Sequence, residues 1–391
     1  MLEQKLQNIK KQILQKQKIR IMIIGLGSVG NYLLNYLLSS SDEYIEICVC
    51  GRDKEKMSLD VNIATISSAI RQQNKTKVSI IGDIDLSSIQ QITDAINTFK
   101  PNIIVNSSRA YTGLKYGSIS WHNLRAYGIW SPLAMRFTKN IMQAYDNANS
   151  DAIVINTSYS DATIPWLKSA NKSYPDFGSG NINHLIPRIK LAVSSALDIK
   201  DWWNIDITFA VSHFHDVVIS KEGHSEGIDM LIDIRYNNKK INININDVLA
   251  KCNIPMPTNA TRNQMNASSN YEIIKAILNA TRFEKIIKLH CPGVFGEIGG
   301  YPVIINGEKL SAYFCEDYFT IEQMRLKNKE SIYLDGIEDI QNGTLIYTDE
   351  LIQKTKKAFN VELPKYVQLN EIEQVSDFII KNIILRNIES K

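Results

Sequence analysis

The densest group of proton-moving side chains is Ser212-His213-Phe214-His215-Asp216, directly after the apolar run at 207–211. In a strand-like segment His213 and His215 share one face and Asp216 takes the other, and a turn at the strand end lets Asp216 reach an imidazole. An imidazole held by a carboxylate can hand a proton to a carbonyl or imine and recover it in the reverse direction. His213, His215 and Asp216 are therefore the catalytic candidates, against the plainer reading of two surface or core histidines. Adding His224 would make a three-imidazole zinc site, but the spacing matches no closed site with thiolates, so no metal is expected. His290-Cys291 reads as structural. A substrate carboxylate calls for a planar, bidentate cation. Arg188 opens a helix after the glycine turn at 178–180, and Arg109 and Arg125 flank 116–122, which reads as a loop able to close and exclude water. Arg125 and Arg188 are substrate-binding candidates, although any of the three arginines could be a solvated charge.

A second chemistry-bearing feature is Gly25-Leu26-Gly27-Ser28-Val29-Gly30, between the apolar run at 19–24 and a helical pattern from Asn31. Gly25 permits the sharp turn, Gly27 clears the approach of a pyrophosphate, and Gly30 lets helix and strand pack closely. The first amides of the helix, at Ser28 and Val29, then face the anion. Similar turns occur in domains that bind nothing, but here a second apolar strand at 44–50 closes a βαβ unit. It ends at Gly51-Arg52-Asp53-Lys54, where the ribose is read. A guanidinium at that tip can grip a 2′-phosphate, so Arg52 favours NADP; Asp53, one residue on, leaves NAD as the less favoured choice.

These groups need a frame. Strands at 77–81, 102–106 and 151–156 alternate with helical segments near 58–73, 86–99 and 131–147, which predicts a doubly wound parallel sheet. Its carboxyl ends would bring Ser107, Ser108, Arg109, Asn156, Thr157 and Ser158 to the cofactor crevice. Beyond about residue 162, strands with alternating polarity at 205–209 and 230–234 suggest antiparallel pairing, and 239–246 reads as a surface strand. The expected fold class is thus α/β, an N-terminal Rossmann doubly wound sheet followed by an α+β substrate domain. The expected divisions are an amphipathic helix within 1–18, a dinucleotide-binding domain at 19–161 and a substrate and oligomerisation domain at 162–391. Leu2, Leu6, Ile9 and Ile13 give the first helix an apolar stripe, which packs on its own domain or on a partner subunit.

The 391 residues carry 44 basic and 41 acidic side chains, a net charge of +3, which points away from nucleic acid and membrane surfaces toward a small-molecule substrate. Five cysteines without a CxxC pair read as reduced thiols. With a polar N-terminus and no 18-residue apolar run, a cytoplasmic homo-oligomer is expected.

The order of these parts resembles the lactate and malate dehydrogenase superfamily, in a divergent form, and less closely the saccharopine and opine dehydrogenase-like reductases. Gly25 to Gly30 is similar to the nucleotide turn of the first group, and 151–161 resembles its strand followed by Asn-Pro-x-Asp, with Ser158 or Asn156 at the substrate-binding Asn. Residues 180–188 resemble the helix carrying the catalytic Asp and substrate Arg, with Asn183 where the Asp would stand; 212–216 resembles the catalytic His turn, and 296–305 the glycine-bearing C-terminal strand. The tip at 51–54 is more like the saccharopine-type reductases. The resemblance adds Ser158 and Asn183 to the substrate-binding candidates. It implies an NAD(P)-dependent oxidoreductase moving hydride between nicotinamide and a small carboxylate-bearing 2-oxo, 2-hydroxy or imino compound. A nucleotide-binding sensor or scaffold without turnover is the alternative.

Overall fold

Continuous apolar runs flanked by helices form the centre of the molecule, because a strand buried on both faces needs no polar positions. The computed structural model describes residues 2–111 and 113–389, so the outermost ends of the divisions at 1–18 and 162–391 lie outside the described residues. Strands β1 (Ile19–Ile24), β2 (Ile45–Cys50), β3 (Lys77–Ile81), β4 (Ile103–Asn106), β5 (Ile153–Asn156) and β6 (Phe177–Gly178) form one sheet in the order β3-β2-β1-β4-β5-β6. Every pairing in it is parallel. That is the doubly wound Rossmann order, whose switch point lies between β1 and β4.

Alternate residues of each strand feed two cores. Met22, Ile24, Cys48, Cys50 and Ile104 enter one; Ile21, Ile23, Ile47, Val49 and Val105 enter the other. Three antiparallel sheets follow: β7 (Ile205–Ala210), β8 (Leu231–Tyr236) and β9 (Lys239–Lys240); β10 (Ile286–Pro292), β11 (Gly300–Asn306) and β12 (Ser311–Phe314); β13 (Ile337–Gln341), β14 (Thr344–Tyr347) and β15 (Tyr366–Gln368). Leu345, Tyr347, Val367 and Ile379 pack into the first core, so the C-terminal segment covers one face of the parallel sheet.

Three local readings are corrected. Residues 116–122 lie in the helix Gly113–Asn123 rather than a loop. The run at 239–246 pairs only over Lys239–Lys240 before the helix Ile245–Ala250 begins, with the Asn244 side chain capping it. Ser212 is the last extended residue before the helix His213–Glu222, so the histidines ride a helix and not a strand. The N-terminal helix Leu2–Leu14 packs within its own chain, burying Leu6 and Ile9 against the second core. Lys5 donates to Asp176 at 2.7 Å, with both side chains buried.

Candidate functional site

The glycine turn opens one wall of a cleft of about 850 Å³ at the carboxyl ends of β1 and β4. Gly25 has φ +91°, and a Cβ there would lie 2.9 Å from the Ser108 Cα; a Cβ on Gly30 would meet the Gly25 carbonyl at 2.3 Å. These two glycines are demanded by packing. Gly27 differs, since a Cβ on it would meet nothing within 4 Å and would only narrow the cleft. Gly27 N-caps the helix Ser28–Ser39, which has no side-chain cap and no acid in its first turn, so its leading amides stay free for an anion. An open approach at Gly27 beside uncapped amides fits a dinucleotide pyrophosphate.

Gly25, Gly27, Ser28, Val29, Arg52, Asp53, Ser107 and Ser108 all line the cleft. Ser107 donates to the Gly25 carbonyl at 2.6 Å and steadies the turn. Asp53 caps the helix Lys54–Arg71 by accepting the Lys56 amide at 2.9 Å, whereas Arg52 is exposed and makes no hydrogen bond or ion pair with the described residues. Gly30 lies behind the wall. Asn156 is fully buried and does not reach the cleft: its amide joins the ends of β4 and β5 through Asn106 at 2.9 Å and binds the Ser158 carbonyl at 3.0 Å.

On the facing wall the helical spacing of three puts His213 and Asp216 on one side, and both line the cleft. His213 Nδ1 lies 2.7 Å from Asp335 Oδ2. A carboxylate only accepts, so Nδ1 carries the proton and Nε2 is left for a substrate. Asp335 is fully buried and also accepts the Tyr159 hydroxyl at 2.6 Å and the Tyr127 amide at 2.7 Å. The Tyr127 and Tyr159 rings stand edge-on to the imidazole at 5.0 and 4.9 Å. Asp161 holds the His213 amide at 3.0 Å and is itself held by Asn181, which adopts a strained φ 46°, ψ −115°. Burial opposes charge on His213, but Asp335, its hydrogen bond, Asp161 and Asp216 outweigh that and raise the pKa above the ordinary imidazole value. Complete burial lifts Asp161 to about 6, against the pull of His213.

His215 points away from the cleft. Its Nε2 donates to the Ser225 carbonyl at 3.0 Å and its Nδ1 accepts from Ser331 at 2.7 Å, while burial lowers its pKa to about 4. It is a neutral structural residue. His224 is exposed beside Glu222 and Glu226, so His213, His215 and His224 do not converge on a metal. His290 is buried and accepts the Phe209 amide at 3.3 Å.

None of the four substrate-binding candidates lies on the cleft wall. Arg188 is buried and donates to the Cys252 carbonyl at 3.0 Å. Arg125 is held by Glu222 at 2.7 Å and Glu226 at 2.8 Å. Asn183 turns to Ser269 and Glu272, and buried Ser158 offers its carbonyl to Asn156 and Thr163. Arg109 does reach the cleft, whose lining also includes His184, Lys221, Arg262 and Asn263, none of them a site candidate from the sequence. His184 Nδ1 lies 3.6 Å from Asp216, and Asn263 donates to the Ser28 hydroxyl at 2.6 Å. Asp335 stands 122 residues from His213, beyond any local signal.

No protein-family model matches the sequence, and no curated protein matches it. Solved structures share its fold. The lactate dehydrogenase of Cryptosporidium parvum, in complex with lactic acid and nicotinamide adenine dinucleotide, superposes with a TM-score of 0.53 at 11% identity over 82% of this chain and 97% of that one. Malate dehydrogenase of the same organism gives 0.51 at 14% identity, over 82% and 98% of the two chains. Malate dehydrogenase of Plasmodium falciparum gives 0.52 at 15%, over 88% and 99%. The chain therefore has the fold of the lactate and malate dehydrogenases.

Proposed function

We propose that this chain is a nicotinamide dinucleotide-dependent oxidoreductase acting on a small carboxylate-bearing 2-oxo, 2-hydroxy or imino compound. One observation carries the reading: a carboxylate-held imidazole, His213 on Asp335, faces the same cleft as a glycine turn with free helix amides. Nicotinamide, when bound, supplies or accepts the hydride. His213 Nε2 gives the proton to the substrate oxygen or nitrogen in reduction and takes it in oxidation. Asp335 keeps the ring in the tautomer and orientation this requires. The partly buried Tyr127 and Tyr159 rings flank the imidazole edge-on and shield it from water.

NADP is the proposed cofactor. Arg52 is unpaired at the ribose end of the cleft, and Asp53 already spends an oxygen on its helix cap. A cytoplasmic site of action agrees with five buried, unpaired cysteines. We also assign homo-oligomerisation to the helix Lys54–Arg71, where Leu59, Ile63, Ile66 and Ile70 form a stripe at helical spacing, each more than half exposed. A two-fold axis across this stripe would pair it with the same stripe of a second copy. Sedimentation of wild type and Ile63→Glu tests this, with a monomer expected only for the variant.

The functional test is consumption of NADPH with a panel of 2-oxo acids, with and without amines. Turnover abolished in His213→Gln with retained NADPH binding is expected. Dinucleotide binding without turnover of any acid would instead favour the sensor reading. Arg52→Ala should weaken NADPH by about 10–100-fold, on the scale of a charge-assisted phosphate contact, and leave NADH nearly unchanged; equal weakening of both overturns the choice of NADP.

A further inference from the structure

Arg262 ends the short turn Ala260–Arg262 and stands half-buried on the cleft wall with His213. Its guanidinium makes no hydrogen bond or ion pair with the described residues. Of the other arginines weighed for this role, Arg188 holds the Cys252 and Ile254 carbonyls, Arg125 lies between two glutamates, and Arg52 is beside Gly51 at the ribose end; Arg109 also lines the cleft, but it is exposed and follows Ser108 at the end of β4, on the wall that carries the glycine turn. The next residue, Asn263, is tied to the Ser28 hydroxyl at 2.6 Å, so the segment carrying Arg262 is pinned to the glycine turn, and Arg262 lines the same cleft as His213. Lys221, on the last turn of the His213 helix, also lines the cleft. Its ammonium lies 5.2 Å over the Trp121 ring with no carboxylate bonded to it. Burial and then Arg262 push the Lys221 pKa below the ordinary lysine value. Lys221 is exposed and Arg262 half-buried, and two like charges on one wall favour an anion between them.

We propose that Arg262 and Lys221 form the subsite that anchors the substrate's anionic groups, Arg262 gripping a carboxylate in bidentate fashion and Lys221 adding preference for a second negative charge. This rests on the oxidoreductase reading of the cleft. It locates the anchor on segments outside the helix Ile182–Leu197, whose only arginine is buried against carbonyls. The shared ligand chemistry is a carboxylate with a second carboxylate or a phosphate nearby.

Calorimetry with NADPH present measures binding of oxamate, a monoanion, and malonate, a dianion, to wild type and to Arg262→Gln, Arg262→Lys and Lys221→Gln. A charged hydrogen bond of about 1.5–3 kcal/mol corresponds to about 10–150-fold in affinity. Malonate should bind wild type at least about tenfold more tightly than oxamate. Arg262→Gln should weaken both by about 10–150-fold with unchanged NADPH affinity and melting temperature, and Arg262→Lys should restore part of it. Lys221→Gln should reduce the malonate preference alone. Turnover of pyruvate, 2-oxoglutarate and 3-phosphohydroxypyruvate then separates a second carboxylate from a phosphate. Malonate binding unaffected by Arg262→Gln, or oxamate binding as tight as malonate, overturns the proposal. If Arg262 governs malonate binding and no acid is turned over, the subsite stands and the oxidoreductase reading fails.

Discussion

Asp335→Asn removes the charge that holds His213 while keeping the size of the side chain. The lost interaction is a charge-assisted hydrogen bond at 2.7 Å to a fully buried carboxylate, worth about 1.5–3 kcal/mol. That free energy changes the ratio of charged to neutral imidazole by about 10–150-fold. The wild-type His213 pKa is raised, so in the direction of reduction the charged ring persists above the ordinary imidazole range and the rate falls only as pH climbs through the raised value. In Asp335→Asn the fall begins at lower pH, and turnover above neutrality drops by about the same 10–150-fold. The asparagine still accepts one of the two bonds from the Tyr127 amide and the Tyr159 hydroxyl. Its affinity for dinucleotide should be that of wild type, because Asp335 lies behind His213 and not on the cleft wall. The assay is the pH profile of kcat and of kcat/KM, alongside thermal unfolding and dinucleotide titration. A folded, dinucleotide-binding variant with an unmoved profile refutes the role of Asp335 and with it the acid/base assignment of His213.

Other consequences follow from the same geometry. Gly27→Ala should keep the melting temperature, because its Cβ meets open space, yet weaken dinucleotide binding at least about tenfold; Gly30→Ala should destabilise by about 1–3 kcal/mol, since its Cβ meets the Gly25 carbonyl at 2.3 Å. Similar urea midpoints for the two variants would contradict this. His215 has its pKa lowered to about 4, so the unfolded chain binds the extra proton and stability is lost as pH falls from about 6.5 through 4, by roughly 3 kcal/mol. His215→Asn should start less stable at pH 7.5 but lose less on acidification to pH 4.5, as urea melts at both pH values would report. Lys5→Ala leaves Asp176 buried without its partner and should cost about 3–5 kcal/mol of unfolding free energy, whereas a loss below about 1 kcal/mol would show the pair to be dispensable.

The parallel sheet was legible because its signals are local. Largely apolar runs at 19–24, 45–50 and 103–106, interrupted only by Arg20, Glu46 and Asn106, read as strands buried on both faces, and Gly25 to Gly30 announces the turn that joins strand to helix. One wall of the cleft followed directly, since Ser28, Arg52, Ser107 and Ser108 sit where strands of that topology end. The helix at 213–222 was harder. Its first residues alternate like a strand, and only the extended Ser212 just before it marks where the backbone changes.

What the sequence by itself determined about this protein is therefore the Rossmann sheet, the nucleotide-type turn and one histidine of the pair, because period, turn chemistry and residue type act over a few positions. Tertiary structure decided the rest. Whether an arginine is a ligand or a strut depends on what faces it: Arg188 meets backbone carbonyls, Arg125 meets two glutamates, and Arg262 meets open cleft. His213 and His215, two positions apart, differ for the same reason, one ring reaching Asp335 and the cleft, the other Ser331 and a carbonyl. Asp335 and Ser331 come from more than 100 residues away, and only packing the C-terminal segment against the helix His213–Glu222 brings their carboxylate and hydroxyl within hydrogen-bond reach.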